Sequence, residues 1–359
     1  MKKIALCFIV LLSLVSVSFG QSLIGARSAG MGGAGVAASR DLSAAYYNPA
    51  ALMRTGMASF IASTGVAYSG IDKILAAASS SNDPAKFAMD NFSSDINVNA
   101  NINGIIGGSI NKIGLSVLPT ISANLQKPAA SLATAGTAAF NYTGALTFGN
   151  TFGFGVLPAI DIGANLKYIG GMSGDINVAT DPITGISSGT QNTYNLSGFG
   201  LDLGALATFD VPMVSSISVG LVVRDLVETI NTTINPSTLY APAGSTTLTE
   251  TKGTEQTTSR TADPSYILGA AGNIPVIGAI VAADIESGNG FSNTHFGIEY
   301  PLLLNLVTLR AGIASGTNLS LTTVGAKLGI PFFTLNMAYV MDSKISNNNQ
   351  YVLDIAGGF

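Results

Sequence analysis

The sequence predicts an all-β protein: a 14-stranded antiparallel transmembrane β-barrel with an amino-terminal plug in its lumen. Three observations carry that expectation. The chain opens with an export leader, it has too few charges for a water-soluble surface, and it contains an even series of short alternating segments that ends on an aromatic residue. Of the 359 residues, 47% are hydrophobic and only 10% are charged, whereas a soluble domain carries about 25% charged residues. Much of the surface must therefore face something other than water. The apolar residues come in short pieces separated by Gly, Asn, Ser and Pro, which is the pattern of strands with one lipid-facing side rather than of membrane helices.

Taken in order, Lys2 and Lys3 precede an apolar run from Ile4 to Val17, and Ser18, Phe19 and Gly20 set up cleavage before Gln21, so residues 1–20 read as a signal peptide. Cys7, the one cysteine, lies within that run without the small residues that lipid attachment needs; neither a disulfide nor a lipid anchor is expected. Without Lys2 and Lys3 the chain keeps 14 basic against 20 acidic side chains, a formal charge near -6, which argues against a nucleic-acid partner.

Residues 21–56 are irregular and rich in small side chains. A barrel of 14 strands encloses more space than its own side chains fill, so this segment is expected to enter from the periplasm as a plug, with the barrel proper over 57–359. Gly30, Gly32 and Gly33 let it approach the wall, Arg40 and Asp41 offer charged contacts, and Asn48, Pro49 and Ala50 make a rigid turn. That turn is either a plain lead into the first strand or part of a gate. The glycines look like a phosphate loop, but no strand precedes them and no lysine follows at the required place.

Candidate strands follow near 57–68, 96–110, 112–123, 137–149, 152–169, 196–209 and 214–226, then near 264–272, 276–286, 291–300, 305–315, 319–330, 332–342 and 350–359. The even total puts both chain ends on one side. Asn111, Asn150, Asp210–Met213, Asn273–Pro275, Pro301–Leu304 and Pro331 mark short periplasmic turns. Residues 69–95, 124–136, 171–195 and 227–263 are expected as outer loops, the last of them Thr-rich and mobile. In the first loop Ile71, Ile74 and Leu75 share one helical face, and Asp83 with Pro84 starts a second short helix carrying Phe87 and Phe92. Such apolar sides either gather a greasy solute at the barrel mouth or pack on one another as a lid.

Period-two alternation assigns the faces. Ile96, Val98, Ala100, Ile102 and Ile106 are expected toward lipid, with Asn97, Asn99, Asn101 and Asn103 toward the lumen. Ile162, Leu166 and Tyr168 face out while Gly163, Asn165 and Lys167 face in. His295 and Glu299 oppose Phe296, Ile298 and Tyr300, and Arg310 sits between outward Leu309 and Ala311, so Glu299 and Arg310 are placed to pair across neighbouring strands. Such a pair either satisfies charge in a narrow barrel or meets a ligand. His295 is the one histidine, no close cluster of Cys, His, Asp and Glu suggests a metal, and no Ser, His and Asp arrangement stands at a nucleophile turn. An enzyme is not expected, nor a cofactor.

The stretch from Gly25 to Leu52, with glycines over Gly30–Gly35, then Asp41, then Asn48, Pro49 and Ala50 in order, resembles the amino-terminal signature of outer-membrane barrels related to the long-chain fatty-acid transporter. It is nearest to the branch carrying the TraF name and to the PorV-like barrels. HFGIEY from His295 to Tyr300, LRAGIASG from Leu309 to Gly316 and LGIPFFTLNMAYV from Leu328 to Val340 are similar to the final hairpins of that group. The resemblance implies a plugged 14-stranded barrel. In transporter members it implies diffusion of hydrophobic molecules into or through the wall; in PorV-like members it implies a carrier or attachment role in secretion. The central strands carry no motif specific to fatty acids, so no ligand-contacting residue is carried over. The expectation is passive transport of small hydrophobic compounds, with outer-membrane lipid and a hydrophobic small molecule as partners. The alternative is a non-transporting attachment or carrier protein for a secretion or surface-assembly system. Transport requires an apolar path to the lumen or wall; attachment goes with a sealed interior.

Overall fold

The computed structural model describes residues 23–70, 95–129, 131–155, 157–211, 216–245, 247–317, 319–330, 332–344 and 349–358. The expected leader and cleavage point, and the expected apolar access residues Ile71, Ile74, Leu75, Phe87 and Phe92, lie outside these.

The strands are β1 (Ala58–Ser69), β2 (Ile96–Ile110), β3 (Ile113–Lys127), β4 (Ala133–Phe154), β5 (Leu157–Thr180), β6 (Ser187–Phe209), β7 (Ile217–Ala241), β8 (Thr249–Lys252), β9 (Gln256–Thr261), β10 (Ser265–Ile274), β11 (Ala279–Gly288), β12 (Phe291–Leu302), β13 (Val307–Gly316), β14 (Ser320–Ile330), β15 (Phe333–Asp342) and β16 (Gln350–Gly358). Fourteen of them form the barrel, each antiparallel to its sequence neighbour, with β7 pairing directly to β10. The sheet closes where β16 meets β1, in register from Ser59 with Gly358 to Ala67 with Gln350. Strands β8 and β9 stand outside this circuit, on the upper part of β7.

Side chains sort as period two requires. Ile162, Leu166, Tyr168, Phe296, Leu309 and Leu353 are exposed on the outside, whereas Asn165, His295, Arg310 and Asp354 are buried within. In β2, Asn101 and Asn103 are buried and Ile102 and Ile106 exposed, as expected, but Ile96 and Val98 at the loop end are covered. Outward aromatics mark the membrane borders. Phe140, Tyr142, Tyr168 and Phe199 run edge to edge across β4, β5 and β6 with ring centroids 6.0, 6.1 and 5.3 Å apart. Tyr339 and Tyr351 continue the row at 4.9 Å, and Phe60 with Phe333 lies at the other border. From Phe60 to Tyr68 along β1, at roughly 3.4 Å per residue and a tilt near 40°, the band is about 20 Å tall, matching the apolar belt of outer-membrane barrels. A closed barrel with this belt belongs in the outer membrane.

Several boundaries differ from the sequence reading, among them Asn273, which pairs with Ile280 inside β10 ahead of its turn. Asn150 is not a turn: it lies inside β4 opposite Ile162, because the outward alternation of Phe148 and Phe152 carries the strand past it to a turn at Gly155, where φ is 68°. Pro301 pairs with Thr308 inside β12, and the turn follows at Leu303–Asn305. The expected outer loops 124–136, 171–195 and 227–263 are largely strand, with β5 running to Thr180, β6 starting at Ser187, β7 reaching Ala241 and β8 and β9 added to it. Beyond the aromatic row both faces of a sheet meet water, so no apolar alternation is needed. Thr and Asn then pair strand to strand without leaving a pattern to read, although Thr favours extended backbone.

The face assignment sets a test. Arg in place of Ile162 or Leu353 puts a charge in the lipid belt and is expected to destabilise the barrel by about 2–4 kcal/mol. Urea titration of refolding in vesicles measures this, and wild-type stability for either variant contradicts the assigned orientation.

Candidate functional site

Residues 23–54 fill the lower lumen. They form a short helix at Ala26–Gly30, another at Ala44–Tyr47 and a 3-10 turn at Pro49–Arg54, and nearly all are buried. The small side chains explain how. Gly32, at φ 68°, lies so close to Ile313 and Gly312 that a Cβ on either glycine meets backbone atoms of the other segment. Gly163 and Gly204 of the wall leave the same narrow space for Pro49 and Asn48. Glycine in the wall, matched by glycine in the plug at Gly32, allows a close approach where side chains would hold the segment off.

Charged groups fasten the first half of this segment to β11–β16. The Arg27 guanidinium donates to both Glu299 oxygens at 2.9 and 3.1 Å and also to Ala38 O. Arg310 donates to Glu299 at 2.7 Å and to Asn336 Oδ1 at 2.9 Å. Asn336 in turn donates to Asp354 at 2.6 Å, whose other oxygen accepts from Ala26 N at 2.6 Å. The expected Glu299–Arg310 pair is thus present, across the register of β12 and β13, and it is one side of a triad completed by Arg27. His295 donates from Nδ1 to Gly32 O at 2.7 Å, and Asp284 accepts from Gly35 N at 2.7 Å and Val36 N at 2.9 Å. Arg40 is exposed, while Asp41 accepts from Ser43 N at 2.9 Å.

Amides hold the second half. Asn48 is fully buried; its Nδ2 donates to Val36 O at 3.0 Å and to Ala205 O at 3.2 Å, and its Oδ1 accepts from Ala50 N at 3.0 Å. One side chain therefore joins two passes of the plug to β6 and caps the turn that Pro49 begins. Asn165 reaches from β5 to Ala45 O at 2.7 Å, and Arg54 donates to Ser218 at 2.9 Å and, more closely, to Thr208.

A charged layer lies over the plug. Between Leu201 and Leu203 of β6 the partner residues jump from Val227 to Val223, a bulge in β7 that holds Asp225 at φ 56°. The extra residues turn Arg224 and Asp225 inward together. Lys167 contacts Asp202 at 2.8 Å, Glu228 at 3.1 Å and Asp225, while Arg224 pairs with Glu286 at 3.1 Å and stacks over Tyr46 at 4.8 Å. The sequence reading placed Lys167 in the lumen but missed its partners on β7: the bulge turns Asp225 inward against the parity of its strand, and Glu228 lies beyond the expected strand end at 226. Among the described residues no group of three or more His, Cys, Asp or Glu is placed to hold a metal ion.

Apolar space lies elsewhere. An open hollow of about 1230 Å³, here called the β2–β3 cavity, lies at the β2–β3 hairpin, bordered by outward Ile106, Leu115 and Val117, by inward Ser109 and Ser116, and by Met53 of the plug. Just above it the ladder lapses: pairing runs through Asn103–Thr120 and resumes at Ile106–Val117, leaving Gly104 and Ile105 beside Leu118 and Pro119. Proline has no N–H to give there.

No protein-family model matches the sequence, and no curated protein matches it. Solved structures share its fold. The Pseudomonas putida toluene transporter TodX superposes with a TM-score of 0.60 at 12% identity, covering 93% of this chain and 98% of that one. The Ralstonia pickettii toluene transporter TbuX gives 0.55 at 11%, covering 92% and 96%. A Pseudomonas aeruginosa FadL homologue gives 0.57 at 10%, covering 95% and 99%. At these identities the likeness establishes the fold alone: a closed antiparallel barrel shared with these structures.

Two substitutions weigh the plug contacts. Glu299→Ala leaves Arg27 and Arg310 facing each other in a mostly buried site and is expected to cost about 3 kcal/mol, the lower end for breaking a buried pair. Asn48→Ala strands two carbonyls and an amide and is expected to cost about 2 kcal/mol. Urea unfolding in vesicles reads both; a change under about 0.5 kcal/mol for either denies that residue its fastening role.

Proposed function

We propose that this barrel passively admits small hydrophobic compounds across the outer membrane, with residues 25–52 as a gate and the β2–β3 cavity as the way into the wall. The cavity carries the reading. Its border joins residues of the lumen face, residues of the lipid face and the plug, beside a stretch of wall without complete pairing. The charged layer supports a sideways path, since an apolar solute moving straight down the axis would have to part the mostly buried ion pairs that Lys167 makes with Asp202, Asp225 and Glu228, at a cost of several kcal/mol. Two of the structures sharing the fold are named for toluene, and a small aromatic hydrocarbon is the ligand class proposed here. Asn48 and Pro49 form the proposed gate hinge, with Gly30, Gly32, Gly33 and Ala50 providing its close fit to the wall.

One observation favours a second reading. The extended wall of β4–β7, with β8 and β9 on its edge, rises beyond the aromatic row and has no evident part in moving a solute. It suits a non-transporting attachment or carrier role for a secretion or surface-assembly system, the role that resemblance to the PorV-like barrels implies.

Vesicle uptake of toluene, normalised to folded protein, separates the two. Transport predicts uptake several-fold above protein-free vesicles, and a further rise in the double variant Asn48→Ala, Pro49→Ala out of proportion to its loss of folded barrel. Uptake no greater than in protein-free vesicles ends the transport reading and leaves attachment. Flux and folding falling together in the double variant make the turn a structural support and not a gate.

A further inference from the structure

The periplasmic rim departs from what water would select. Val276 and Ile277 form the β10–β11 turn, Leu303 and Leu306 the β12–β13 turn, and Phe332 the β14–β15 turn. Val276 is 93% exposed, Leu303 72% and Phe332 67%. Lys112 and Asp210 are the charged residues in the described turns of this rim. Leu303 and Phe332 also hold positive φ, at 46° and 69°, in turn positions where a water-facing hairpin uses Gly, Asn or Asp. At the opposite end the turns beside β10–β15 follow the usual rule, with Asn289 and Gly290 between β11 and β12 and Ser343 and Lys344 after β15, and Ile183 in the β5–β6 turn stands apart from the lipid-facing columns beyond the aromatic row.

These apolar turns prolong the lipid-facing columns without a break. Ile274 leads to Val276 and Ile277, Leu309 to Leu306 and Leu303, and Ile330 to Phe332 and Phe333, all exposed. Large contiguous exposed apolar surface marks an interface, and the one with which this surface is continuous is the bilayer. We infer that the rim formed by the β10–β15 turns is immersed in the inner leaflet of the outer membrane, so that lipid, and not periplasmic water or a periplasmic protein, covers Val276, Ile277, Leu303, Leu306 and Phe332. The barrel then sits low on this side, with its lower turns at the depth of headgroups and upper acyl chains.

The chain contains no tryptophan, so single tryptophans report their surroundings cleanly. Val276→Trp and Leu303→Trp are compared in vesicles with Leu166→Trp, which lies in the belt, and with Ile183→Trp, where Ile183 is 92% exposed in the turn between β5 and β6. Lipids brominated on the upper acyl chain are expected to quench the 276 and 303 reporters at least two-fold, as for position 166, while aqueous iodide quenches only position 183. If the 276 and 303 reporters follow position 183, with iodide quenching and little effect of bromine, the rim stands in water and the inference is overturned. Ile277→Trp supplies the same reading should Val276→Trp fail to fold.

Discussion

Everything in this molecule depends on closing the sheet. In hydrocarbon an unpaired backbone N–H or C=O has no water to turn to, so a β-structure can span a bilayer only when its last strand pairs with its first. The register of β16 on β1, nine consecutive residue pairs from Ser59–Gly358 to Ala67–Gln350, meets that demand. Closure also fixes an inside and an outside for each strand, and polar side chains excluded from lipid must accept the lumen. Asn101, Asn165, His295, Arg310 and Asp354 are buried there. They would be costly without partners, and the plug supplies many of them: Ala26 N, Gly32 O, Ala45 O and the Arg27 guanidinium. Filling the lumen and satisfying its polar groups are thus one problem with one solution.

Much of this was legible before any coordinates. Barrel strands emerged from period-two patterns wherever one face meets lipid: β2 and β12, for example, show alternation that no soluble surface needs. The pattern stopped at the membrane border. Past Tyr168 and Phe199 the strands β5 and β6 have water on both sides, and their Ser, Thr and Asn residues gave no sign of the long hairpin they build. Asn150 misled for the opposite reason, a turn-forming residue set among outward phenylalanines that keep the strand going. The Glu299–Arg310 pair could be inferred because both residues obey the parity of adjacent strands. Arg27 could not, since the fold of an irregular segment carries no periodicity, and Asp225 could not, because its bulge shifts the count. Resemblance marked Asn48 and Pro49, yet the carbonyls that Asn48 joins, Val36 O and Ala205 O, lie 12 and 157 residues away in sequence and have no local signature.

The two halves of the plug are held by different chemistry. Residues 26–38 are bound by carboxylates and guanidinium groups, whose separation would leave charges buried and alone. Residues 45–54 are held by amides and hydroxyls together with two looser charged contacts, Arg54 to Asp161 at 3.7 Å and Arg224 to Tyr46 O at 3.3 Å, and most of these bonds cost less to part. If the plug moves as a gate, the second half is the part that moves: it begins beside the β2–β3 cavity at Met53, turns at Asn48 and Pro49, and meets wall glycines that offer contact but no interlocking side chains. The Glu299 triad then serves as the fixed end against which that movement occurs. A solute admitted at the cavity would shift residues near Met53 without disturbing Arg27, and this division permits a barrel to open locally while its strongest internal bonds stay made.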